Sequence, residues 1–218
     1  MKYKIISLFI FILSLCFFNI TFAQTKLPLL SKVIYLDSGH GGPDSGAYYK
    51  NVRESDLNLE ITKKVQEVLK NAGATVYLTR YGDYDLSVNN AWNRKRSDLS
   101  RRANIINKSN CDLYLSIHLN AEDSQTLHGA EAYYDTINPE NEKIAKIFQE
   151  YFKKSLNSNR EYKENSTKYL QRRVNRPGVL LEIGFLSNPS ERALLQSEVY
   201  QNKLANTIKD ASIKYLNS

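Results

Sequence analysis

The sequence predicts a single α/β domain with a mostly parallel, twisted sheet of about six strands and helices on both faces. From Val33 onward, short apolar runs alternate with longer amphipathic ones, which is typical of βαβ units around a parallel sheet. No internal repeat or low-complexity linker interrupts this alternation. A chain of 218 residues can bury one sizeable core, and nothing in its composition indicates a second one.

The first 23 residues have the pattern of a signal peptide. Two lysines lie within the first four residues, an uncharged apolar stretch runs from Ile5 to about Ile20, and small residues follow at positions 21 and 23. We therefore expect export with cleavage after Ala23, a linker over 24–32 and one folded domain over 33–218. An uncleaved membrane anchor is the alternative, because the apolar stretch is nearly long enough to span a bilayer.

Charge and cysteine content narrow the class of protein. Cleavage would remove Lys2 and Lys4 and lower the formal net charge from +7 to +5, which favours contact with anionic polymers such as the cell wall. We expect no nucleic-acid binding, since lysine and arginine are scattered through mixed-charge segments without a basic stripe. Cys111 would be the only cysteine left, so we expect a small buried residue and no internal disulfide.

Hydrophobic periodicity predicts each element of the first half of the domain. In order, these are a strand over 33–38, a helix with apolar residues at 57, 61, 65, 68 and 69, a strand over 75–79, an irregular loop over 81–96, a helix over about 98–108 and a strand over 112–117. Gly73 follows the last apolar position of the first helix and is expected to end it.

The second half continues the same alternation. We expect a strand over 130–134, a helix started by Pro139, a polar segment over 157–168, a strand over 178–183 and a final helix over about 200–215. The strand over 178–183 is apolar except for Glu182, and such a strand is expected to be buried on both faces. A charged side chain there is costly unless it is paired, binds a metal or faces a cleft.

Two histidines lie at the ends of predicted strands. His40 follows the first strand within GHGG, and His118 ends a later strand within SIHLNA. Ligands in open α/β sheets bind outside the carboxyl ends of the strands. Either histidine alone could be a core residue held by hydrogen bonds, but two such positions among only three histidines favour a metal site. The third, His128, lies in a polar loop and is interpreted as structural or incidental.

Glu54 is the candidate for a third metal ligand. It begins the first predicted helix, where a carboxylate also suits the positive end of the helix dipole, so a purely structural role is a serious alternative. A catalytic zinc commonly has three protein ligands, and two histidines with one glutamate form an established set. Asp37, Asp44 and Asp56 remain possible substitutes, and Asp37 is better placed to orient an imidazole from outside the ligand set.

The order of these segments resembles the zinc-dependent N-acetylmuramoyl-L-alanine amidases of the third amidase family. That family has a GHGG strand end, an acidic helix start, a SIHxNA segment and an E-x-GF-x-SN segment in this order, as here. The resemblance runs from about Val33 to Tyr215 and includes LTR at 78–80. Within the family, the segments RKRSDLSRRANIINKS, ENEKIAK and PGVLLEIGFLSNPSE are most similar to the germination-specific spore-cortex amidases.

The resemblance implies one Zn²⁺ on His40, Glu54 and His118, with Glu182 as the catalytic carboxylate. The reaction it implies is hydrolysis of the amide bond between N-acetylmuramic acid and L-alanine in peptidoglycan. Two asparagines are candidates for substrate binding, although either could equally be a turn residue: Asn120 and Asn188. Ser38 and Ser55, which lie close to the ligands in the sequence, differ from the family pattern. This difference concerns the local geometry around the ligands and not the ligands themselves.

The spore subgroup implies a more specific role. The cleavage would be the first step toward muramic-δ-lactam in spore cortex, in the space between the forespore membranes or at the cell wall. Larger relatives carry an inhibitory helix that the stretch between Asn120 and Gly129 is too short to hold, so a regulatory protein partner or metal loading is the expected control. The alternatives are a general cell-wall amidase of growth or division, a zinc peptidase acting on the stem peptide, and an inactive peptidoglycan-binding module.

Overall fold

Eight strands and five helices form the described part of the chain, residues 27–218 of a computed structural model. The predicted signal segment lies outside these residues. The strands are β1 (Val33–Ser38), β2 (Tyr48–Tyr49), β3 (Val52–Arg53), β4 (Thr75–Leu78), β5 (Leu113–Asn120), β6 (Glu131–Tyr134), β7 (Lys163–Glu164) and β8 (Gly178–Phe185). The helices are α1 (Glu54–Asn71), α2 (Arg94–Lys108), α3 (Asn141–Leu156), α4 (Pro189–Leu195) and α5 (Glu198–Leu216), with a 3₁₀ turn at Gln171–Arg173.

The central sheet has six strands in the order β4-β1-β5-β8-β6-β7. Strands β4, β1, β5 and β8 are parallel, while β6 runs antiparallel to β8 and β7 pairs parallel to β6. The mostly parallel sheet predicted from the alternation of elements is therefore confirmed. Because β1, β5 and β8 are neighbours, the carboxyl ends of the three strands that carry candidate site residues meet at one place.

Helices cover both faces of the sheet, as predicted. Helices α1, α3 and α5 enclose the larger core on one face, together with Ile34 and Leu36 of β1. Tyr35, between them in β1, points to the opposite face because side chains alternate along a strand. There it packs with Tyr114 and with the smaller apolar cluster contributed by α2 and the segment around Leu170.

Several element boundaries differ from the prediction because local capping overrides apolar periodicity. Helix α2 begins at Arg94 rather than near 98, since the Asn93 side chain caps it by accepting a hydrogen bond from the Arg96 N–H at 2.9 Å. Helix α5 begins at Glu198, after the capping residue Ser197. The hairpin β2-β3, strand β7 and helix α4 were not predicted, because each is too short to show a hydrophobic period.

The domain packs residues that precede its predicted start. Leu29 lies in the segment predicted as a linker, yet it is fully buried in the larger core, and its N–H donates to the Ala72 carbonyl at 2.9 Å. Cys111 is buried, as expected. Among residues 27–218, no helix is long and apolar enough to cross a membrane.

A fully buried arginine of α2 holds the chain where it leaves β1. The Arg102 guanidinium pairs with Asp98 at 2.9 Å and with Asp37 at 2.9 Å. It also donates to the backbone carbonyls of Ser38 and His40, each at 2.7 Å. Charge-assisted hydrogen bonds of this kind are stronger than neutral ones, so the β1 loop is fixed by a side chain that is distant in sequence.

A second buried arginine supports the same loop from the other side. Arg80 follows β4 and donates to the carbonyls of Ser38 and Gly39, each at 3.0 Å. The same guanidinium donates to the Ser55 carbonyl at 2.7 Å, which ties the start of α1 to the β1 loop. Both residues that depart from the family pattern, Ser38 and Ser55, thus contribute backbone oxygens to this network.

We expect Asp37 to make the stability of the fold sensitive to acid. Burial alone would raise its pKa, but Arg102, His118 and the hydroxyls of Ser116 and Thr79 together lower the pKa from 3.8 to about 2. A carboxylate whose pKa is lower in the folded state than in the unfolded state stabilises the fold at pH values above its unfolded-state pKa. This stabilisation is lost as the pH falls through the folded-state pKa. The free energy of unfolding should therefore fall between about pH 4 and pH 2.

We expect the Asp37→Asn variant to lose about 3 kcal/mol of unfolding free energy at pH 7, because it leaves a buried guanidinium without one of its carboxylates. Its unfolding free energy should also change less between pH 4 and pH 2 than that of the wild type. Denaturant unfolding over a pH series measures both effects. The exposed Asp123→Asn variant is the matched control and should stay within about 0.5 kcal/mol of wild type. A variant with wild-type stability and pH dependence would contradict the role given to Asp37.

Candidate active site

The three predicted metal ligands converge on one another. His40 follows β1, Glu54 is the first residue of α1, and His118 lies near the carboxyl end of β5. Oε1 of Glu54 lies 3.2 Å from Nε2 of His40 and 3.1 Å from Nδ1 of His118. The two imidazole rings stand nearly perpendicular, with centroids 5.0 Å apart. One ligand atom from each residue lies within 4.8 Å of the others, so the three side chains can hold a metal ion.

The two separations that involve Glu54 fit a small tetrahedral metal. Bond lengths of about 2.0–2.1 Å in a tetrahedral site place neighbouring ligand atoms about 3.3–3.4 Å apart. The separations from Glu54 to the two imidazole nitrogens, 3.2 and 3.1 Å, are close to that value. A set of three protein ligands leaves one coordination position for water or substrate, which is the arrangement of catalytic zinc sites.

Glycines make room for the ligands at two positions. A Cβ atom on Gly39 would lie 2.2 Å from Cε1 of His118. Gly46 has a φ of +63°, and a Cβ atom there would lie 2.4 Å from Oε2 of Glu54. His40 itself has a φ of 62°, a left-handed conformation that costs a non-glycine residue about 1–2 kcal/mol. The hydrogen bond from Arg102 to the His40 carbonyl helps to hold this conformation.

Glu54 is held as an anion. Burial opposes its charge, but hydrogen bonds and charge interactions with His118 and His40 outweigh burial and keep its pKa well below the usual range. Oε2 accepts from the Ala47 N–H at 2.8 Å, and Oε1 accepts from Asn58 and from the Leu119 N–H, each at 3.1 Å. These donors fix the carboxylate in the orientation that faces both imidazoles.

The carboxylate beside the His40 ring is Asp44, and Asp37, which was predicted to orient an imidazole, has other hydrogen-bond partners. The Asp37 oxygens lie 2.7 Å from the hydroxyls of Thr79 and Ser116 and 2.9 Å from Arg102, so this carboxylate supports the loop backbone instead. Oδ2 of Asp44 lies 2.9 Å from Nδ1 of His40. A carboxylate on the far nitrogen of a ligand histidine fixes its tautomer and raises its basicity.

Glu182 lies beside the candidate metal site. It sits directly opposite His118 in the parallel register of β5 and β8. It is only 6% exposed, and its Oε2 is buried without a hydrogen-bond partner in residues 27–218. Burial raises the pKa of Glu182; His118 acts against this rise and the charge of Glu54 adds to it. A carboxyl group with a raised pKa next to an open metal position suits general acid and base chemistry.

The two asparagines predicted to bind substrate have different surroundings. Asn120 ends β5 on the same edge as His118, and its carbonyl accepts from the Leu186 N–H at 2.7 Å. The Asn188 side chain accepts from the Glu191 N–H at 3.0 Å and caps α4, so the alternative of a turn residue accounts for it. His128 is exposed, with Nδ1 3.0 Å from the Thr126 carbonyl, and takes no part in the metal cluster.

A cleft that the sequence did not indicate opens beside the two histidines. It is lined by His40 and His118 and also by α2 and the segment that precedes the 3₁₀ turn, through Lys95, Leu99, Lys168, Tyr169 and Leu170. These residues come from parts of the chain more than 60 positions apart, so no local pattern could have identified them. The two loop-holding arginines, Arg80 and Arg102, appeared in the sequence only as part of the family resemblance.

We expect Gly39→Ala to weaken zinc binding by at least tenfold, a loss typical of disturbing the surroundings of metal ligands. The physical reason is the 2.2 Å approach of the new Cβ to the His118 ring, which must move away from Glu54. Calorimetric titration of metal-free protein with zinc measures the effect. Gly82→Ala is the control, because its Cβ would lie 3.3 Å from a Tyr84 ring atom and far in sequence from the ligands. Equal zinc affinity in both variants would contradict the assigned ligand geometry.

Comparison with known proteins agrees with this geometry. The family model described as N-acetylmuramoyl-L-alanine amidase matches residues 34–214. The chain is 43% identical over 201 residues to the germination-specific N-acetylmuramoyl-L-alanine amidase of Bacillus subtilis, covering 90% of this chain and 85% of that protein.

Solved structures lead to the same family. The CwlD amidase of Clostridioides difficile, in complex with the GerS lipoprotein, is 38% identical with a TM-score of 0.81, over 85% of this chain and 98% of that one. The catalytic domain of CwlV from Bacillus (Paenibacillus) polymyxa var. colistinus is 31% identical with a TM-score of 0.75, over 85% and 98% of the two chains. The resemblance predicted from the motifs is confirmed, and the chain belongs to the N-acetylmuramoyl-L-alanine amidase family, as an enzyme of that class.

Proposed function

We propose that this amidase is zinc-dependent and cleaves the amide bond between N-acetylmuramic acid and L-alanine in spore-cortex peptidoglycan. The cleavage would be the first step of the muramic-δ-lactam formation needed for germination. The observation that carries the chemistry is the strand register that places Glu182 opposite His118, beside the three converging ligands. The spore role is supported by the 43% identity to a germination-specific amidase.

Three side chains would hold the metal ion, and a fourth, Glu182, would transfer the proton. Nε2 of His40, Oε1 of Glu54 and Nδ1 of His118 are the atoms that would hold the ion. An ion held there would supply a Lewis acid able to polarise the lactyl carbonyl and to lower the pKa of water towards about 7. The Asp44 carboxylate, 2.9 Å from Nδ1 of His40, is placed to favour the tautomer that would present Nε2 to the ion.

Glu182 moves the proton in this proposal. Its free oxygen accepts a proton from the attacking water, whose oxygen forms a bond to the lactyl carbonyl carbon. The same carboxyl then delivers the proton to the alanine nitrogen as the carbon–nitrogen bond breaks. The products are a glycan strand that keeps the lactyl carboxylate and a stem peptide with a free L-alanine amine. Burial suits this role, because it favours the protonated form that the second step requires.

We expect Glu182→Gln to lower kcat by about 10²- to 10⁴-fold, the usual contribution of a general acid and base. Zinc affinity should be unchanged, since the variant keeps all three ligands. Release of L-alanine amines from purified peptidoglycan measures the rate, and calorimetry measures the metal. Glu122→Gln, an exposed residue after β5, is the control and should digest peptidoglycan like the wild type. Digestion by the Glu182 variant at the wild-type rate would show that the carboxylate is misassigned.

Export and a protein partner complete the proposal. We place the enzyme outside the cytoplasm, in the forespore intermembrane space or at the wall, held to a membrane only if the N-terminal segment is uncleaved. The solved structure of the CwlD amidase is a complex with the GerS lipoprotein, which supports a protein partner for this chain as well. No helix forms between β5 and β6 in the described residues, so the inhibitory helix of larger relatives has no counterpart there.

A general cell-wall role in growth or division is the second candidate, because the chain is also 33% identical to the probable cell wall amidase LytH of Staphylococcus aureus, over 59% of that protein. Deletion of the gene separates the two roles. We expect spores of the deletion strain to lose muramic-δ-lactam, as measured by muropeptide profiling, while vegetative wall retains its composition. Complementation with wild type should restore the lactam and complementation with Glu182→Gln should not. Spores with normal lactam content would contradict the cortex role.

A further inference from the structure

Two segments distant in sequence form one positively charged surface beside the cleft. Helix α2 and the stretch 168–173 pack against each other over the smaller core. We call this surface the cationic face and define it by these exposed cations: Lys95, Arg96, Arg101, Lys168, Arg172 and Arg173. Arg94, at the start of α2, is paired with Asp85 at 2.6 Å and is not counted among them. The only carboxylate within the two segments, Asp98, is buried against Arg102. The fold thus brings together positive charges that are distant from one another in the sequence.

Tyr169 joins the two halves of the cationic face. The guanidinium carbons of Arg173 and Arg96 lie 4.9 and 5.5 Å from the centroid of its ring. Its hydroxyl is 2.9 Å from Oγ of Ser100 in α2. A guanidinium on an aromatic ring is restrained, while its edge remains available to donate two parallel hydrogen bonds to a carboxylate. The face therefore presents two ordered guanidinium groups instead of flexible charges.

The cationic face is continuous with the active site. The cleft that contains His40 and His118 is also lined by Lys95 and Lys168. Lys95 is 67% exposed and lies 3.8 Å from Asp44, a distance at which a surface ion pair contributes little. A substrate whose scissile bond reaches the two histidines has part of its length against these cations.

We propose that the cationic face binds the free carboxylates of the stem peptide, through Arg96 and Arg173 on Tyr169 and through Lys168 at the cleft. This inference rests on the proposed peptidoglycan substrate. Stem peptides carry free carboxylates at fixed intervals after the L-alanine, whereas the glycan next to the scissile amide has none. Bidentate recognition by arginine matches that chemistry. These residues would therefore determine which stem peptides are accepted and would not take part in bond cleavage.

The test uses two soluble glycan–peptide fragments that differ only in whether the stem-peptide carboxyl groups are free or amidated. For the wild-type, zinc-loaded enzyme we expect a KM about tenfold lower for the free-acid fragment, a ratio typical of one charge-assisted hydrogen bond, with equal kcat. The double variant Arg96→Gln and Arg173→Gln should raise the KM of the free-acid fragment to that of the amidated one. The matching lysine double variant should retain part of the preference, since it keeps charge but not the planar fork.

The control removes two charges from the opposite face of the sheet, through Lys63→Gln in α1 and Lys214→Gln in α5, both exposed. It should leave KM and the substrate preference unchanged. Equal KM values for both fragments with the wild type, or a preference retained by the arginine double variant, would overturn the proposal, even if the face proves to bind an acidic protein. Failure of the wild type to cleave either fragment would instead contradict the peptidoglycan substrate itself.

Discussion

The contact of one buried carboxylate oxygen with two imidazoles is the interaction on which the rest of the site depends. Oε1 of Glu54 lies within 3.2 Å of a nitrogen from His40 and from His118. A buried carboxylate is costly unless it is fully paired, so the surroundings are built to satisfy it. His40, which follows β1, has a left-handed backbone conformation, and Gly39 leaves space for the His118 ring. Arg80 and Arg102 hold this turn through hydrogen bonds to its backbone carbonyls.

The same burial has opposite consequences for the two glutamates. Glu54 receives hydrogen bonds from backbone and side chain and remains an anion, which suits a permanent ligand. Glu182 has one oxygen without a partner in the described residues, and burial raises its pKa, which suits a group that exchanges protons. Their positions in the fold separate these roles: strand register places Glu182 beside His118, while Glu54 approaches from the start of α1.

Two kinds of feature could be predicted from the sequence: those that depend on hydrophobic periodicity, and those that depend on the carboxyl ends of parallel strands lying at one edge of the sheet. The parallel sheet, its helices and the approach of His40 to His118 follow from those rules, whereas Glu54, at the start of a helix, was proposed from the usual ligand set of zinc and from the family resemblance. Contacts between segments that are distant in the sequence could not be predicted in this way. Arg102 donates to the carbonyl of His40, 62 positions away, and also pairs with Asp37. The carboxylate next to the His40 ring is therefore that of Asp44. The cationic face was missed for the same reason, since packing of α2 on the 3₁₀ segment gathers charges that the sequence scatters.

The central claim is that one zinc ion binds to these three side chains, and anomalous diffraction at the zinc edge from crystals grown with stoichiometric zinc tests it most directly. We expect a single strong peak about 2.0–2.1 Å from Nε2 of His40, Nδ1 of His118 and a Glu54 oxygen, with Glu182 outside the bonding distance. A peak coordinated by Asp44 or Glu182 in place of Glu54, or no peak at the three residues, would contradict the claim.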